Sequence, residues 1–376
     1  MNSPSDPAPS VPARPAPAAR GSVRPSPPRI FVVGDVVTDI LAMHTDPIRE
    51  GADTPAQIRM APGGSAANTA AWLAAYRHRI PVQVTLICAV GTDSAGRERI
   101  AELTAGGVDC AVRRYPTATG SVVVLSCGLE RTMLNDRGAN RLLTPADIDA
   151  AFAARQPPAH LHLSGYTLLD PASRPAGLRA LAAARECGAT TSVDAASSGF
   201  LAHSGSRTVH RWVAGVDLLL ANHDEARALL PSEPDGPTSE SPDSTSTAGT
   251  PARPAARDAS QRDDDPHSET DQIARRLAEW LGTGAVVVKR GAYGAVWADS
   301  EGGVWRVPAE TVQAVDPTGA GDAFAAGLLL HWVSQGGRDG KVDPAAALRA
   351  GARLGALAVC HPGGRPPTPA PPIELA

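Results

Sequence analysis

Short apolar runs recur along this chain, and segments with helical character lie between them. The runs are Ile30–Val33, Val82–Val90, Leu161–Leu163, Thr190–Val193, Leu218–Leu220 and Ala285–Val288. A run without alternating polar residues is typical of a strand that is buried on both faces. Helical segments include Ala176–Arg185 and Gln272–Leu281. The alternation predicts an α/β fold of three layers, in which helices cover both faces of a mostly parallel sheet.

Residues 119–140 interrupt this alternation. Ser121–Ser126 and Thr132–Asn135 flank the tripeptide Gly128-Leu129-Glu130, and this pattern predicts a β-hairpin. We expect the hairpin to be an appendage of the main sheet.

Two segments lack the apolar residues that a packed core needs. Residues 1–28 are rich in Pro, Ala, Ser and Arg, without the apolar run of a signal peptide or membrane span. Residues from about 231 to 269 are mainly Ser, Pro, Thr, Asp and Gly. Such compositions cannot offset the entropy lost on ordering, so we expect a disordered tail and a disordered insertion.

Composition and charge exclude several classes of partner. The net charge of −4 and the pI of about 6.2 give no positive excess for nucleic acid or an anionic membrane. The five cysteines show neither CxxC pairs nor zinc-site spacing, which predicts a reduced, cytoplasmic protein. With 43% apolar residues the chain can bury a large core. We therefore expect a small-molecule partner.

The segment Asp316–Phe324 carries the sharpest chemical signal, and a helical run follows it. Its glycines permit a backbone in which the amides of Gly319, Ala320 and Gly321 point at one anion, where the helix N-terminus adds positive charge. Asp322 follows directly, and its carboxylate can accept a proton from an attacking hydroxyl. The segment thus predicts an anion site beside a base, although an ordinary turn and N-cap would use the same residue types.

Other catalytic motifs are missing from the sequence. There is no G-x-x-x-x-G-K-[ST] segment, no H-R-D or D-F-G set, and no G-x-G-x-x-G after the first apolar run. These absences argue against a P-loop enzyme, a protein kinase and a Rossmann-type dehydrogenase respectively.

Three segments resemble signatures of the ribokinase-like (PfkB) carbohydrate kinase family. Asp316–Asp322 is similar to D-T-x-G-A-G-D, with Pro317 at the usual second position. Pro62–Asn68 resembles the first signature, a Gly-Gly turn followed by an asparagine, and Gly34–Asp39 resembles the amino-terminal strand. The resemblance extends over residues 30–366 apart from the insertion.

The resemblance implies a ribokinase-like fold with a small β-sheet lid, formed by residues 40–62 and 111–139. It implies ATP-dependent phosphorylation of a sugar hydroxyl, with Asp322 as general base and the Gly319–Gly321 amides as the anion hole. Substrate-binding residues carried over from the family are Asp35, Asp39, Gly63, Gly64 and Asn68. Their oxygens and amides suit a polyhydroxylated ligand. Alternatively, Asp35 is a turn residue and Asn68 a surface helix residue.

The resemblance also implies a nucleotide side that binds ATP and Mg²⁺. The corresponding residues are Asn222, Lys289, Gly291, Gly294 and Thr318 for the nucleotide and Glu225 for the metal. Glu225 can hold Mg²⁺ through waters. An N-cap asparagine followed by glutamate in the first helical turn is the alternative for Asn222 and Glu225. The loop Cys360–Gly364 resembles the carboxyl-terminal loop that binds a monovalent cation such as K⁺ in many family members.

Two alternatives to a sugar kinase remain open. The family includes adenosine, inosine and pseudouridine kinases, so the acceptor can be a nucleoside; the 4% aromatic content favours an open sugar. A non-catalytic ligand-binding homologue is the other alternative, and the set Asp322, Asn222 and Glu225 argues against it. A homodimer formed through the lid is also consistent with the resemblance.

Overall fold

The computed structural model describes residues 26–127, 130–231, 266–282 and 284–374. The strands are β1 Arg29–Val33, β2 Val37–Met43, β3 Gln57–Gly63, β4 Gln83–Gly91, β5 Asp109–Tyr115, β6 Thr119–Cys127, β7 Glu130–Gly138, β8 His160–Ser164, β9 Thr190–Asp194, β10 Leu218–Asn222, β11 Ala285–Lys289, β12 Ala295–Asp299 and β13 Val304–Val307. The helices are α1 Ser65–Ala75, α2 Ser94–Ala105, α3 Pro145–Ala153, α4 Tyr166–Leu169, α5 Arg174–Glu186, α6 Ser198–Ser204, α7 Ser206–Val213, α8 His223–Leu229, α9 Pro266–Leu281, α10 Ala320–Ser334 and α11 Pro344–Val359.

The main sheet has nine strands in the order β13-β12-β11-β10-β9-β8-β1-β4-β5. The pairings from β11 through to β5 are parallel, whereas β12 and β13 add an antiparallel edge. The predicted α/β fold with a mostly parallel sheet is confirmed. The antiparallel edge was not predicted.

Both faces of this sheet are covered, which explains the unbroken apolar runs. In β1, Ile30 and Val32 point into one core with residues of α1, α2, α10 and α11. Phe31 and Val33 point into a second core with residues of α3 and α5 to α9. Because successive side chains of a strand face opposite sides, each run must be apolar throughout.

A second sheet of four strands, in the order β3-β2-β6-β7, stands apart from the main one. Its β2 and β6 are parallel, and β6 and β7 form the predicted hairpin. The predicted lid range 111–139 is wrong at its start: residues 111–115 belong to β5, which pairs with β4 in the main sheet. Cys110 and Val112 of this edge strand pack on one core and Ala111 and Tyr115 on the other, but Arg113 and Arg114 interrupt the apolar residues, so no apolar run marked the strand.

The predicted tail and insertion lie largely outside the described residues. Residues 26–28 lead into β1 without secondary structure, and residues 1–25 are not described. Of the predicted insertion, residues 232–265 are likewise not described. The expected end near residue 269 is wrong, because α9 begins at Pro266. Its apolar residues Ile273, Leu277 and Leu281 pack into the second core.

Helices α10 and α11 pack closely at a glycine. A Cβ atom on Gly327 would lie 2.3 Å from the carbonyl oxygen of Ala350. Gly199 in α6 is exposed, and an added Cβ would meet no atom within 4 Å.

This contrast predicts opposite effects of the same substitution. Gly327→Ala should lower the free energy of unfolding by about 1–3 kcal/mol, because backbone must move to admit the methyl group. The matched Gly199→Ala should leave it unchanged or raise it by up to about 1 kcal/mol, since alanine favours helix. Urea unfolding followed by circular dichroism measures both; a stabilising Gly327→Ala would contradict the close packing.

Candidate active site

The carboxyl ends of four parallel strands bring polar side chains to one edge of the main sheet. Asp35 follows β1, and Asp194, Asn222 and Lys289 end β9, β10 and β11. Ligands of open α/β sheets bind outside this edge.

The loop before α10 is held in place by Asp316. Its Oδ1 accepts hydrogen bonds from the backbone N–H and the hydroxyl of Thr318 at 2.9 and 2.7 Å, and its Oδ2 accepts one from the N–H of Gly363 at 2.9 Å. Gly319 is the N-cap of α10 with a φ of 75°, and an added Cβ would lie 2.5 Å from the Cα of Gly364. Only glycine fits there without strain.

The first turn of α10 contains the backbone amides for which the sequence predicts an anion site. The N–H of Ala320 is partly used, since it donates to the carbonyl of Pro317 at 3.3 Å. The N–H of Gly321 belongs to the first helical turn, whose donors have no intrahelical acceptor. These donors and the helix dipole make the turn suitable for an anion.

Asp322 lies in this turn and is held by α1. Ser65 donates its hydroxyl to Oδ1 at 2.8 Å, and the amide nitrogen of Asn68 donates to Oδ2 at 2.7 Å. Burial raises the pKa of Asp322 from 3.8 to about 6, although both hydrogen bonds oppose that rise. Asp322 is therefore ionised at neutral pH and can still accept a proton.

Lys289 brings a positive charge to the same turn. Its Nζ donates to Asp194 Oδ2 at 2.5 Å. The same Nζ lies close to Gly321, 3.3 Å from the position that a Cβ on this glycine would occupy. Burial lowers the pKa of Lys289, but attraction to Asp194 and Glu225 outweighs it, so the pKa is raised. Lys289 remains a cation beside the α10 N-terminus.

Asn222 and Glu225 form a capping box at the start of α8, in agreement with the alternative weighed for them. Asn222 Oδ1 accepts from the N–H of Glu225 at 2.9 Å, and Glu225 Oε2 accepts from the N–H of Asn222 at 2.8 Å. Glu225 is nevertheless buried, and burial together with repulsion from Asp194 raises its pKa to about 7. The cap does not exclude a second role near a metal.

A cavity of about 370 Å³ opens next to this cap. It is lined by Asn222, His223, Asp224, Glu269, Thr270, Lys289, Arg290, Gly291 and Tyr293. Three of the predicted nucleotide residues, Asn222, Lys289 and Gly291, thus share one cavity. Gly294 does not line this cavity, and an added Cβ there would lie 2.0 Å from the carbonyl oxygen of Val307 in β13.

On the other side of Asp322, Asp35 is engaged with the small sheet. Its Oδ1 and Oδ2 accept from Arg137 of β7 at 2.6 and 3.3 Å. Arg137 also lies 3.2 Å from Asp170 and is only 10% exposed. This buried pair leaves Asp35 less capacity to accept from a ligand than the sequence suggested.

Asp39 of β2 is differently placed. Among the described residues, no group donates a hydrogen bond to its carboxylate. The carboxylate packs on Gly63, where an added Cβ would lie 2.3 Å from Oδ1. Burial raises its pKa to about 6, while Arg365 opposes the rise. A Cβ on Gly64 would lie 2.4 Å from the carbonyl oxygen of Asp35. Gly63 and Gly64 thus leave space for the carboxylate of Asp39 and for the carbonyl oxygen of Asp35.

Asn68 is bonded on both sides within the protein. Its Nδ2 donates to Asp322 and its Oδ1 accepts from Arg365 Nη1 at 2.7 Å. Sequence reasoning missed Ser65, Arg137 and Arg365. Ser65 stands three residues before Asn68, a spacing that places both on one helical face; no sequence signal marked the two arginines.

The part of the chain that the structure describes contains neither a clustered metal-ligand set nor a membrane-spanning helix. No group of three or more His, Cys, Asp or Glu in the described chain is arranged to hold a metal ion. Within that part of the molecule no helix has the length and apolar character of a membrane span. All five cysteines are free thiols.

Comparison with known proteins gives consistent matches. The pfkB family carbohydrate kinases match residues 27–371. An ATP-dependent ribose-1-phosphate kinase from Halopiger xanaduensis is 29% identical over 345 residues, covering 90% of this chain and 94% of the relative. A fructokinase from Klebsiella pneumoniae is 30% identical over 343 residues, with 89% and 94% covered.

Solved structures agree with this assignment. A double-mutant fructokinase from Vibrio cholerae O395, with fructose, ADP and a potassium ion bound, has a TM-score of 0.66 and 25% identity. The match covers 90% of this chain and 94% of that one. The predicted ribokinase-like fold is confirmed, and the protein is a phosphotransferase with a hydroxyl acceptor. By the extent of these matches, the chain belongs to the pfkB family of carbohydrate kinases.

Proposed function

We propose that this protein transfers the γ-phosphoryl group of ATP to a hydroxyl of a sugar, with Asp322 as general base. One observation carries the proposal: Asp322 is a half-buried carboxylate in the first turn of α10, next to backbone donors and Lys289. Phosphoryl transfer needs a base for the nucleophile and positive charge for the transferred group, and both occur here.

The residues of the nucleotide side fit magnesium and ATP. The cavity beside Asn222, Lys289 and Gly291 is large enough for part of a nucleotide, and Lys289 supplies a cation for its phosphates. Glu225 would hold the metal through waters, since Mg²⁺ usually takes few protein carboxylates. Bound Mg·ATP supplies the phosphoryl group and neutralises its charge.

The donors of the α10 turn would stabilise the transferred group. We assign this role to the amides of Gly319 and Gly321, with a smaller share from Ala320, whose N–H is partly engaged. Thr318 acts through Asp316, to which its hydroxyl donates. A potassium ion is bound in the similar fructokinase, which supports a monovalent cation such as K⁺ here. By its resemblance to the family's cation loop, Cys360–Gly364, which Asp316 contacts at Gly363, is the candidate site.

Asp39 is the main candidate to bind the acceptor. Burying a carboxylate that receives no hydrogen bond from the described residues costs free energy unless a ligand supplies the donor. Sugar hydroxyls are such donors. Asp39 lies on the small sheet, so we propose that this sheet is a lid which excludes water. Asp35 and Asn68 would contribute through the groups that Arg137 and Asp322 leave unused.

A nucleoside is the second candidate acceptor. Tyr166 lies among the site carboxylates, since burial and the charges of Asp35 and Glu225 raise its pKa. Its ring meets that of Phe200 edge-on with centroids 6.5 Å apart. Such an aromatic pair can stack on a base. A non-catalytic role is disfavoured because the base and the cationic turn are both present.

The outer face of the lid favours a homodimer. Ile58 and Met60 of β3 and Leu134 of β7 are 68%, 75% and 58% exposed. Met60 and Leu134 are in register with Ile40 and Val123 and therefore share a face with them. We propose that a second copy covers this apolar face, and that the enzyme works in the cytoplasm, where its thiols stay reduced.

The acceptor and the base can be tested together. An ADP-release assay with Mg·ATP over ribose, fructose, ribose 1-phosphate, 2-keto-3-deoxygluconate, adenosine, inosine and pseudouridine identifies the acceptor. On it, Asp322→Asn should fold normally and lose about 10²–10⁴-fold in kcat, the usual contribution of a general base. Asp149→Asn on exposed α3 is the control and should change kcat less than about twofold. Wild-type turnover in Asp322→Asn would refute the assignment.

The pH dependence follows from the pKa of Asp322. Because burial raises that pKa to about 6 in the free protein, the carboxylate is protonated, and kcat/KM for the acceptor lost, as the pH falls through about 6. At saturating Mg·ATP, log kcat/KM for the acceptor should therefore decline from a plateau above pH 7. An unaltered kcat/KM at pH 5 would exclude Asp322 as the base.

A charged residue on the apolar face of the lid should separate the proposed dimer into monomers. Met60→Glu should convert a wild-type dimer to a monomer, because the charge would be buried without a partner. Leu178→Glu, at a 38% exposed leucine of α5, should leave the dimer intact. Light scattering after size exclusion measures both; a monomeric wild type at high concentration would contradict the proposal.

A further inference from the structure

The segment Gly363–Arg365, which follows α11, is tied to the catalytic turn at several points. The N–H of Gly363 donates to Asp316, and the carbonyl of Gly364 accepts from Trp72 Nε1 at 2.9 Å. The side chain of Arg365 is 11% exposed and lies behind Asn68. Nothing in the reaction outlined above uses this arginine.

Arg365 bonds to three elements at once. Its Nε donates to Glu102 of α2 at 3.1 Å, its Nη1 to Asn68 of α1 at 2.7 Å, and its Nη2 makes a long 3.5 Å contact with the carbonyl of Gly63. Glu102 thereby fixes the guanidinium and directs Nη1 at Asn68. A planar guanidinium is suited to such fixed geometry.

The guanidinium decides which way the amide of Asn68 faces. A guanidinium has donors and no acceptor, so the Asn68 atom facing it must be the oxygen Oδ1. The Nδ2 group is then directed at Asp322, to which it donates at 2.7 Å. A rotated amide would instead point its oxygen at the carboxylate, which is repulsive.

This orientation matters because of the titratable groups around Asp322, of which Tyr166 is uncharged and the others carry charge. Lys289 faces it from β11, Asp194 from β9, Tyr166 from α4, and Arg365 from the carboxyl-terminal segment. Ser65 is the other direct donor, and it holds only Oδ1. Oδ2 depends on Asn68 and therefore on Arg365.

We propose that Arg365 is a positioning residue for the base: it orients Asn68 so that its amide holds Asp322 ionised and aimed at the acceptor. The proposal rests on the proposed function, in which Asp322 takes the proton.

The test is a double-mutant cycle combined with a pH profile. Arg365→Met should lower kcat about 10–100-fold, because a base displaced by a fraction of an ångström loses efficiency. The acidic limb of kcat should move upward by about one pH unit, since the Asn68 hydrogen bond that favours the carboxylate is weakened. In an Asn68→Ala background the same substitution should change kcat less than about twofold.

Controls separate positioning from stability. Arg353→Met on α11, whose partners Glu310 and Glu374 are remote from Asp322, should leave kcat and its acidic limb unchanged. Arg365→Lys keeps a donor and the charge and should recover most of kcat. If Arg365→Met does not fold, Arg365→Gln, whose shorter amide cannot reach Asn68, carries the same expectations. A wild-type acidic limb, or equal losses with and without Asn68, would overturn the proposal.

A second readout does not depend on activity. The carboxyl pKa of Asp322 can be followed by ¹³C NMR, with its resonance identified by its absence in Asp322→Asn. Arg365→Met should raise that pKa, and an unchanged value would overturn the positioning role. If the wild type turns over no acceptor, the proposed function fails, yet this titration still decides whether Arg365 acts on Asp322.

Discussion

The contact between the carboxylate of Asp322 and the first turn of α1 sets the geometry of the active site. Ser65 and Asn68 are three residues apart, so they share one face of α1 and each reaches one oxygen of Asp322. The contact joins α1, which starts beside β3, to α10, which starts at the Gly319 turn. Both helices belong to the same core, and its packing keeps the Asp322 carboxylate in one orientation.

Around this contact, buried carboxylates outnumber the cations that face them. Burial and mutual repulsion raise the pKa of Glu225 to about 7 and that of Asp322 to about 6, whereas Lys289 keeps its charge through Asp194. Such an arrangement is unfavourable without a ligand. It becomes favourable when a metal and a hydroxylated acceptor supply positive charge and donors, so the same charges that lower stability prepare the site for its substrates.

The small sheet contributes to the site from a separate layer. Asp39 lies on β2, which the chain enters after leaving the main sheet at the end of β1. Arg137 on β7 returns to Asp35 and Asp170 and ties this sheet to the core with a buried ion pair. Because breaking such a pair would leave a buried charge unpaired, these ion pairs restrain the position of the small sheet relative to the main sheet.

The sequence by itself determined the features that depend on local pattern. Apolar runs such as Ile30–Val33 indicated strands buried on both faces, and the glycines before Asp322 indicated a turn opening a helix, because both patterns follow from residue size and backbone freedom. Polar edge strands such as β5 gave no pattern and were missed.

Only the tertiary structure decided which polar groups meet. Asp39 and Asp35 look equivalent in the sequence. Asp35 nevertheless accepts hydrogen bonds from Arg137, 102 residues away, whereas no described residue donates a hydrogen bond to the carboxylate of Asp39. Asn68 and Arg365 are 297 residues apart, and no spacing links them. Hydrogen bonds depend on distance in space, which the sequence fixes only through the packing of the whole fold.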